Sequence, residues 1–64
     1  MAASIILDGK KMSADNGVTI ESAMISSGKY PDAFLFLRNG RPIPMTTVLK
    51  DGDIVEALRV ASGG

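Results

Sequence analysis

Few residues in this chain are equipped for chemistry. It contains no His and no Cys among its 64 residues, so the commonest general base and the thiolate nucleophile are both missing, and an enzyme is the weakest hypothesis. Asp51 and Asp53 flank Gly52, but two carboxylates without a third ligand make a poor Ca²⁺ site, and Asp-Gly-Asp is good turn chemistry. Asn39, Gly40 and Arg41 read as a turn rather than a phosphate loop, because the P-loop spacing is absent. What remains is the α-carboxylate of Gly64, at the end of Val60-Ala61-Ser62-Gly63-Gly64. At ordinary glycine usage a Gly-Gly end arises roughly once in 200 chains; a cloning scar is a competing origin. Glycines present no side chain to a narrow tunnel, and four residues reach at most about 14 Å beyond a folded domain. A carboxylate is a poor electrophile until ATP converts it to an acyl-adenylate. Nothing in this chain catalyses that step, so the active site must belong to another protein.

The rest of the composition bounds the domain that carries this tail. A chain of 64 residues makes one domain with one small core, burying only about 60% of the surface of its unfolded form. Zinc and disulfide scaffolds are excluded by the missing Cys and His, and no bound cofactor is expected. Seven Lys and Arg balance seven Asp and Glu, and the basic residues are dispersed, which argues against nucleic acid as a partner. No apolar run approaches the roughly 20 residues needed to cross a bilayer. The start, Met-Ala-Ala-Ser-Ile-Ile-Leu, lacks the basic region and the long apolar run of a signal peptide, so a cytoplasmic protein is expected.

Asp8-Gly9 between two short runs predicts a hairpin, with Leu7 opposite Lys10 and Ile5 opposite Met12. Alternation then places Ile5, Leu7 and Met12 on the core face and Ile6 and Lys11 on the other. Thr19 is suited to cap a helix of about two and a half turns, with Val18 at the position of a hydrophobic staple and Gly28 just past the end. Ile20, Ala23, Met24 and Ser27 follow its inward spacing. Phe34 to Leu37 predicts a strand closed by Asn39-Gly40, while Pro42 and Pro44 bar a regular central strand after it. Residues 46 to 53 predict a short turn or single helical turn and a bend at Asp51-Gly52, and Ile54 to Val60 the last strand. The order requires an α+β fold: a mixed sheet of four to five strands with one helix on one face.

One short helix leaves the other face of the sheet open, yet Phe34 to Leu37 is apolar on both sides. If Phe34 and Phe36 face the helix, Leu35 and Leu37 face outward. On the last strand Glu56 marks the solvated side, which puts Leu58 and Val60 outside as well. If the two strands are neighbours, Leu35, Leu37, Leu58 and Val60 form an apolar patch beside the tail, flanked by Arg38 and Glu56. Contiguous patches of this kind mark protein interfaces, although scattered apolar surface is normal on any protein. A lone patch favours a monomer that docks transiently.

The order ββαββ, Val-Thr-Ile-Glu-Ser-Ala-Met at the helix start, Arg-Asn-Gly-Arg-Pro-Ile-Pro after the third strand, and residues 49 to 64 with the terminal Ser-Gly-Gly together resemble the ubiquitin-like β-grasp sulfur carriers. These include the thiamine-pathway and molybdopterin-pathway carriers and the archaeal small modifier proteins. The resemblance covers essentially the whole chain; its most specific part is Leu49 to Gly64, and the N-terminal half matches in pattern only. It implies a β-grasp domain over residues 1–60 and a flexible diglycine tail over 61–64. It further implies that a partner activating enzyme adenylates Gly64 with ATP, and that a sulfur donor converts it to a thiocarboxylate that gives sulfur to an acceptor protein. Gly63, Ser62 and Ala61 would enter the partner's active site. In relatives the activated carboxylate is instead joined to a lysine amine, and a plain interaction domain without tail chemistry is the remaining alternative. Ala61 and Ser62 replace the basic residues that precede the diglycine in ubiquitin, which favours the simpler prokaryotic kind of activating enzyme.

Overall fold

The computed structural model describes residues 2–60; the tail residues Ala61, Ser62, Gly63 and Gly64 lie outside the described residues. Five strands and one helix follow in the order β1 (Ala3–Leu7), β2 (Lys10–Ala14), α1 (Ile20–Ser26), β3 (Phe34–Arg38), β4 (Arg41–Ile43) and β5 (Ile54–Arg59), with a 3₁₀ turn at Pro31–Ala33 before β3. The strands form one mixed sheet in the spatial order β2-β1-β5-β3-β4. β1 and β5 pair in parallel, and every other neighbouring pair is antiparallel. This is the α+β class expected, with the full five strands. Among the described residues no helix is long and apolar enough to cross a membrane.

Both hairpins arise from their two-residue turns. Asp8 and Gly9 have φ of 51° and 78°, and Asn39 and Gly40 have 55° and 78°, the positive pair that a type I′ turn demands and that these residue types tolerate. The first turn fixes Leu7 opposite Lys10 and Ile5 opposite Met12, as the sequence predicts. The second sets Leu37 opposite Pro42. β4 is an edge strand of three residues, and that position tolerates a proline, which has no N–H to offer the ladder.

The helix is shorter than expected, seven residues from Ile20 to Ser26, but its ends are closely specified. Thr19 Oγ1 accepts the Ser22 N–H at 3.1 Å. The N–H groups of Ile20 and Glu21, which have no partner inside a helix, donate to the carbonyls of Thr47 and Met45 at 3.0 and 2.9 Å. At the other end Gly28 N–H donates to Ile25 O and Lys29 N–H to Met24 O, the paired closure of a Schellman motif. Ile20, Ala23 and Met24 are buried, whereas Ser27, expected on the inward stripe, is exposed at the C-cap. Its hydroxyl donates back to Ala23 O, so the helix has already ended where the fourth apolar contact would fall.

Residues 44–50 take the short turn rather than the helical one: Thr47 N–H donates to Pro44 O at 3.0 Å. The loop then lies against the helix entry, with Leu49 N–H donating to Val18 O and Gly17 N–H to Leu49 O, both at 2.7 Å, around a Thr19–Val48 bridge. Leu49 is thereby fully buried alongside Ile5, Ile20, Met24 and Val55. Gly52 has φ of 85°, Asp53 N–H donates to Lys50 O, and the Asp53 carboxylate accepts from Lys50 N–H at 2.9 Å. The Asp51-Gly52-Asp53 segment is the turn its sequence indicates.

The core lies on the helix side of the sheet. Phe34 and Phe36 of β3 and Val55 and Ala57 of β5 all point into it, the faces assigned from alternation. Phe36→Ala is expected to lower stability by about 3 to 5 kcal/mol, the range for truncating a buried aromatic, and Thr19→Ala by about 1 kcal/mol for the lost cap. Urea denaturation followed by circular dichroism measures both; a Phe36→Ala midpoint equal to that of the native chain would contradict the face assignment.

Candidate functional site

The uncovered face of the sheet follows from the registers. Leu35 stands directly opposite Leu58, and Leu37 opposite Glu56. Leu35 and Leu58 are 41% and 46% exposed, which is high for large aliphatic side chains facing one another across strands. Leu37 is half-buried. The three strand positions expected to form the patch are therefore brought together. Val60 is 41% exposed but lies just beyond β5, where its N–H donates to Ala33 O at 3.0 Å and extends the β3 pairing by one step.

The patch is wider than the sequence reading made it. Because β1 runs parallel beside β5, Ile6 stands opposite Glu56 and Ser4 opposite Ile54, so Ile6 and the exposed Ile54 join the outer face. Pro42, opposite Leu37, extends it across β4. Ile6 was already placed on the non-core side by alternation; what local sequence did not reveal was that the first and last strands are neighbours. The expected flanks also change. Glu56 sits in the middle of the patch rather than at its border. Arg38 does not flank it: the residue follows the inward alternation of Phe34 and Phe36, and its guanidinium donates to Asp53 Oδ2 at 3.2 Å.

A small cluster surrounds the end of β5. Arg59 stands opposite Phe34, its guanidinium carbon 5.5 Å from the ring centroid, and it donates to Asp8 Oδ2 at 3.1 Å. Asp8 belongs to the β1–β2 turn, so one side chain ties three strands together at the edge from which residue 60 departs. Both partners of the ion pair are more than half exposed, which limits the pair to a modest contribution; the arginine's contact with the ring adds a similar amount.

Elsewhere the described residues show little that suits a small ligand. A shallow depression of about 150 Å³ between β2 and α1 is lined by Ser13, Asp15, Ser22 and Ser26 among others, well under the roughly 300 to 1,000 Å³ of ligand pockets. Among the described residues no three Asp, Glu, His or Cys side chains converge as metal ligands. The exposed apolar residues are not confined to the sheet: among the described residues Ile25, Tyr30 and Val48 are also exposed, so the sheet face is not the solitary feature expected.

No family model matches the chain, and no curated protein matches it either. The functional reading therefore rests on the residues themselves. Leu58→Arg is expected to fold with stability within about 0.5 kcal/mol of the native chain, as for surface changes generally. Thermal unfolding checks this, and a collapse of stability would show that Leu58 points inward.

Proposed function

We propose that this protein is a ubiquitin-like β-grasp sulfur carrier, a substrate for an ATP-dependent activating enzyme rather than an enzyme. The observation that carries the proposal is the uncovered apolar sheet face, part of it on β5, the central strand that the Gly-Gly end of the sequence follows. Leu35, Leu37 and Leu58 would dock the activating enzyme. Residues 61–64 follow directly from Val60 and span at most about 14 Å, so the Gly64 carboxylate falls within reach of an active site beside that contact. The β-grasp reading is supported by the mixed sheet in the order β2-β1-β5-β3-β4 with its single helix.

In the proposed reaction a Gly64 carboxylate oxygen attacks the α-phosphate of ATP. The α–β phosphoanhydride bond breaks, and pyrophosphate leaves. A hydrosulfide ion released by a donor protein then adds to the acyl-adenylate carbonyl, expels AMP and gives its proton to water, leaving a thiocarboxylate. The net change is one oxygen exchanged for one sulfur, without oxidation or reduction. This chain supplies the docking face and the carboxylate; the enzyme supplies the electrostatic stabilisation of the phosphoryl and acyl transition states. Gly63 and Gly64, without side chains, fit the confined path such a site requires.

The test is the intact mass of the protein recovered from its native cells, beside variants lacking Gly64 or carrying Leu58→Arg. A gain corresponding to oxygen-to-sulfur exchange is expected in the native chain and in neither variant. Larger species joined through Gly64 to lysines would identify a protein modifier instead. An unmodified mass under conditions of active sulfur transfer would overturn the tail chemistry.

A further inference from the structure

Glu56 occupies an unusual place for a carboxylate. Across the sheet its neighbours on the same face are Ile6 on β1 and Leu37 on β3, each one strand away at about 4.8 Å. Along β5 they are Ile54 and Leu58, two residues on either side, and both are exposed large aliphatics. The carboxylate is thus ringed by apolar side chains on all four sides. Among the described residues it makes no hydrogen bond and no ion pair. Among the described strand residues the one cation on this face is Lys11, which stands opposite Ile6 and two strands away from Glu56.

While the face is open, water satisfies that carboxylate. Once a partner covers Ile6, Leu35, Leu37 and Leu58, Glu56 is taken out of water with them, and an unpaired buried carboxylate is strongly unfavourable. We infer that this sheet face binds a protein whose apolar contact surface presents a cationic side chain, most simply an arginine, to Glu56 at its centre. A guanidinium suits the role because it is weakly hydrated and grips both carboxylate oxygens.

Charge also decides against a second copy of this chain. In a twofold pairing centred on the patch each Glu56 meets its own counterpart, placing two carboxylates together in a closing interface. A twofold axis along β1 would instead bring Glu56 against Lys11 of the copy. It would also carry Leu35, Leu37 and Pro42 past the β2 edge of the sheet, where nothing covers them. A partner with an opposing cation satisfies the whole face.

The inference rests on the proposed function for the docking face but not for the tail chemistry. To test it, the full chain carrying Lys11→benzoylphenylalanine, at the rim of the face, is produced in its native cells and photo-cross-linked. The protein captured is identified and purified, and its Kd is measured with the native chain, Glu56→Gln and Glu56→Leu. Thermal unfolding establishes that each variant is folded, as expected for an exposed position. The expected result is a heterologous adduct, with Glu56→Gln weakening binding about 30-fold or more, the effect of removing one member of a buried charge pair. Glu56→Leu should bind no better than Glu56→Gln although it is more apolar. Binding by Glu56→Leu as tight as the native chain's or tighter would overturn the inference, as would an adduct only with a second copy or no adduct at all. If the captured protein depends on Glu56 but does not adenylate Gly64, the carrier reading fails and this inference stands. If it adenylates the Glu56→Leu protein as well as the native one, the outcome is the reverse.

Discussion

A seven-residue helix covers only one face of a five-stranded sheet, and the rest of this molecule is arranged around that limit. The inward alternation of every long strand feeds one layer of side chains beneath α1, with Ile5, Phe36, Val55 and Ala57 closed from above by Ile20, Ala23 and Met24. So short a helix has little stability of its own. It is held at the start by three hydrogen bonds, one from its own cap and two from the 44–50 loop, and at its end by the Schellman closure. Leu49 then serves the same loop from below, entering the core where the helix is too short to fill it. The loop lacks regular structure because its backbone groups complete the helix entry and its buried leucine completes the packing.

The second consequence concerns β5. It is the last strand in sequence and the middle one in space, so its pairing with β1 joins residues about fifty positions apart and closes the sheet. Local hairpins on either side present their edges to it, β1–β2 through Asp8-Gly9 and β3–β4 through Asn39-Gly40. The strand that bears the tail is thus the one most constrained by its neighbours. Arg59 extends that constraint to its final residue, reaching Phe34 on one side and Asp8 on the other.

The features legible in the sequence were those set by local geometry. Two Asx-Gly turns required positive φ at both central residues and fixed their registers outright. Thr19 and Gly28 marked the helix within a residue at each end. The alternation of Phe34 to Leu37 and Val55 to Ala57 assigned both faces of the sheet. What escaped was set by distant partners. Leu49 looked like any residue in a polar turn, since its burial depends on a helix thirty residues earlier. Arg38 is expected to flank the patch, but alternation turns it inward toward Asp53. Glu56 was read as a border because a carboxylate was taken to mark solvent; only the parallel pairing with β1 shows Ile6 on its far side and makes it a centre.

That change of place alters what the residue does for the protein. An apolar face spanning Ile6, Ile54, Leu58, Leu35 and Leu37 would, without a charge, associate with any apolar surface of similar shape, including its own copy. A rim carboxylate would do little to prevent this, since it stays hydrated when the face is covered. A central one cannot stay hydrated, so each unmatched partner must desolvate it without compensation. The charge therefore weakens every apolar contact that lacks an opposing cation, and it leaves the matched contact with a favourable pair in place of water. The same side chain keeps an uncovered sheet face compatible with solvent and restricts what can cover it. Its effect depends on the two hairpins meeting across β5, because no single strand places apolar residues on all sides of Glu56.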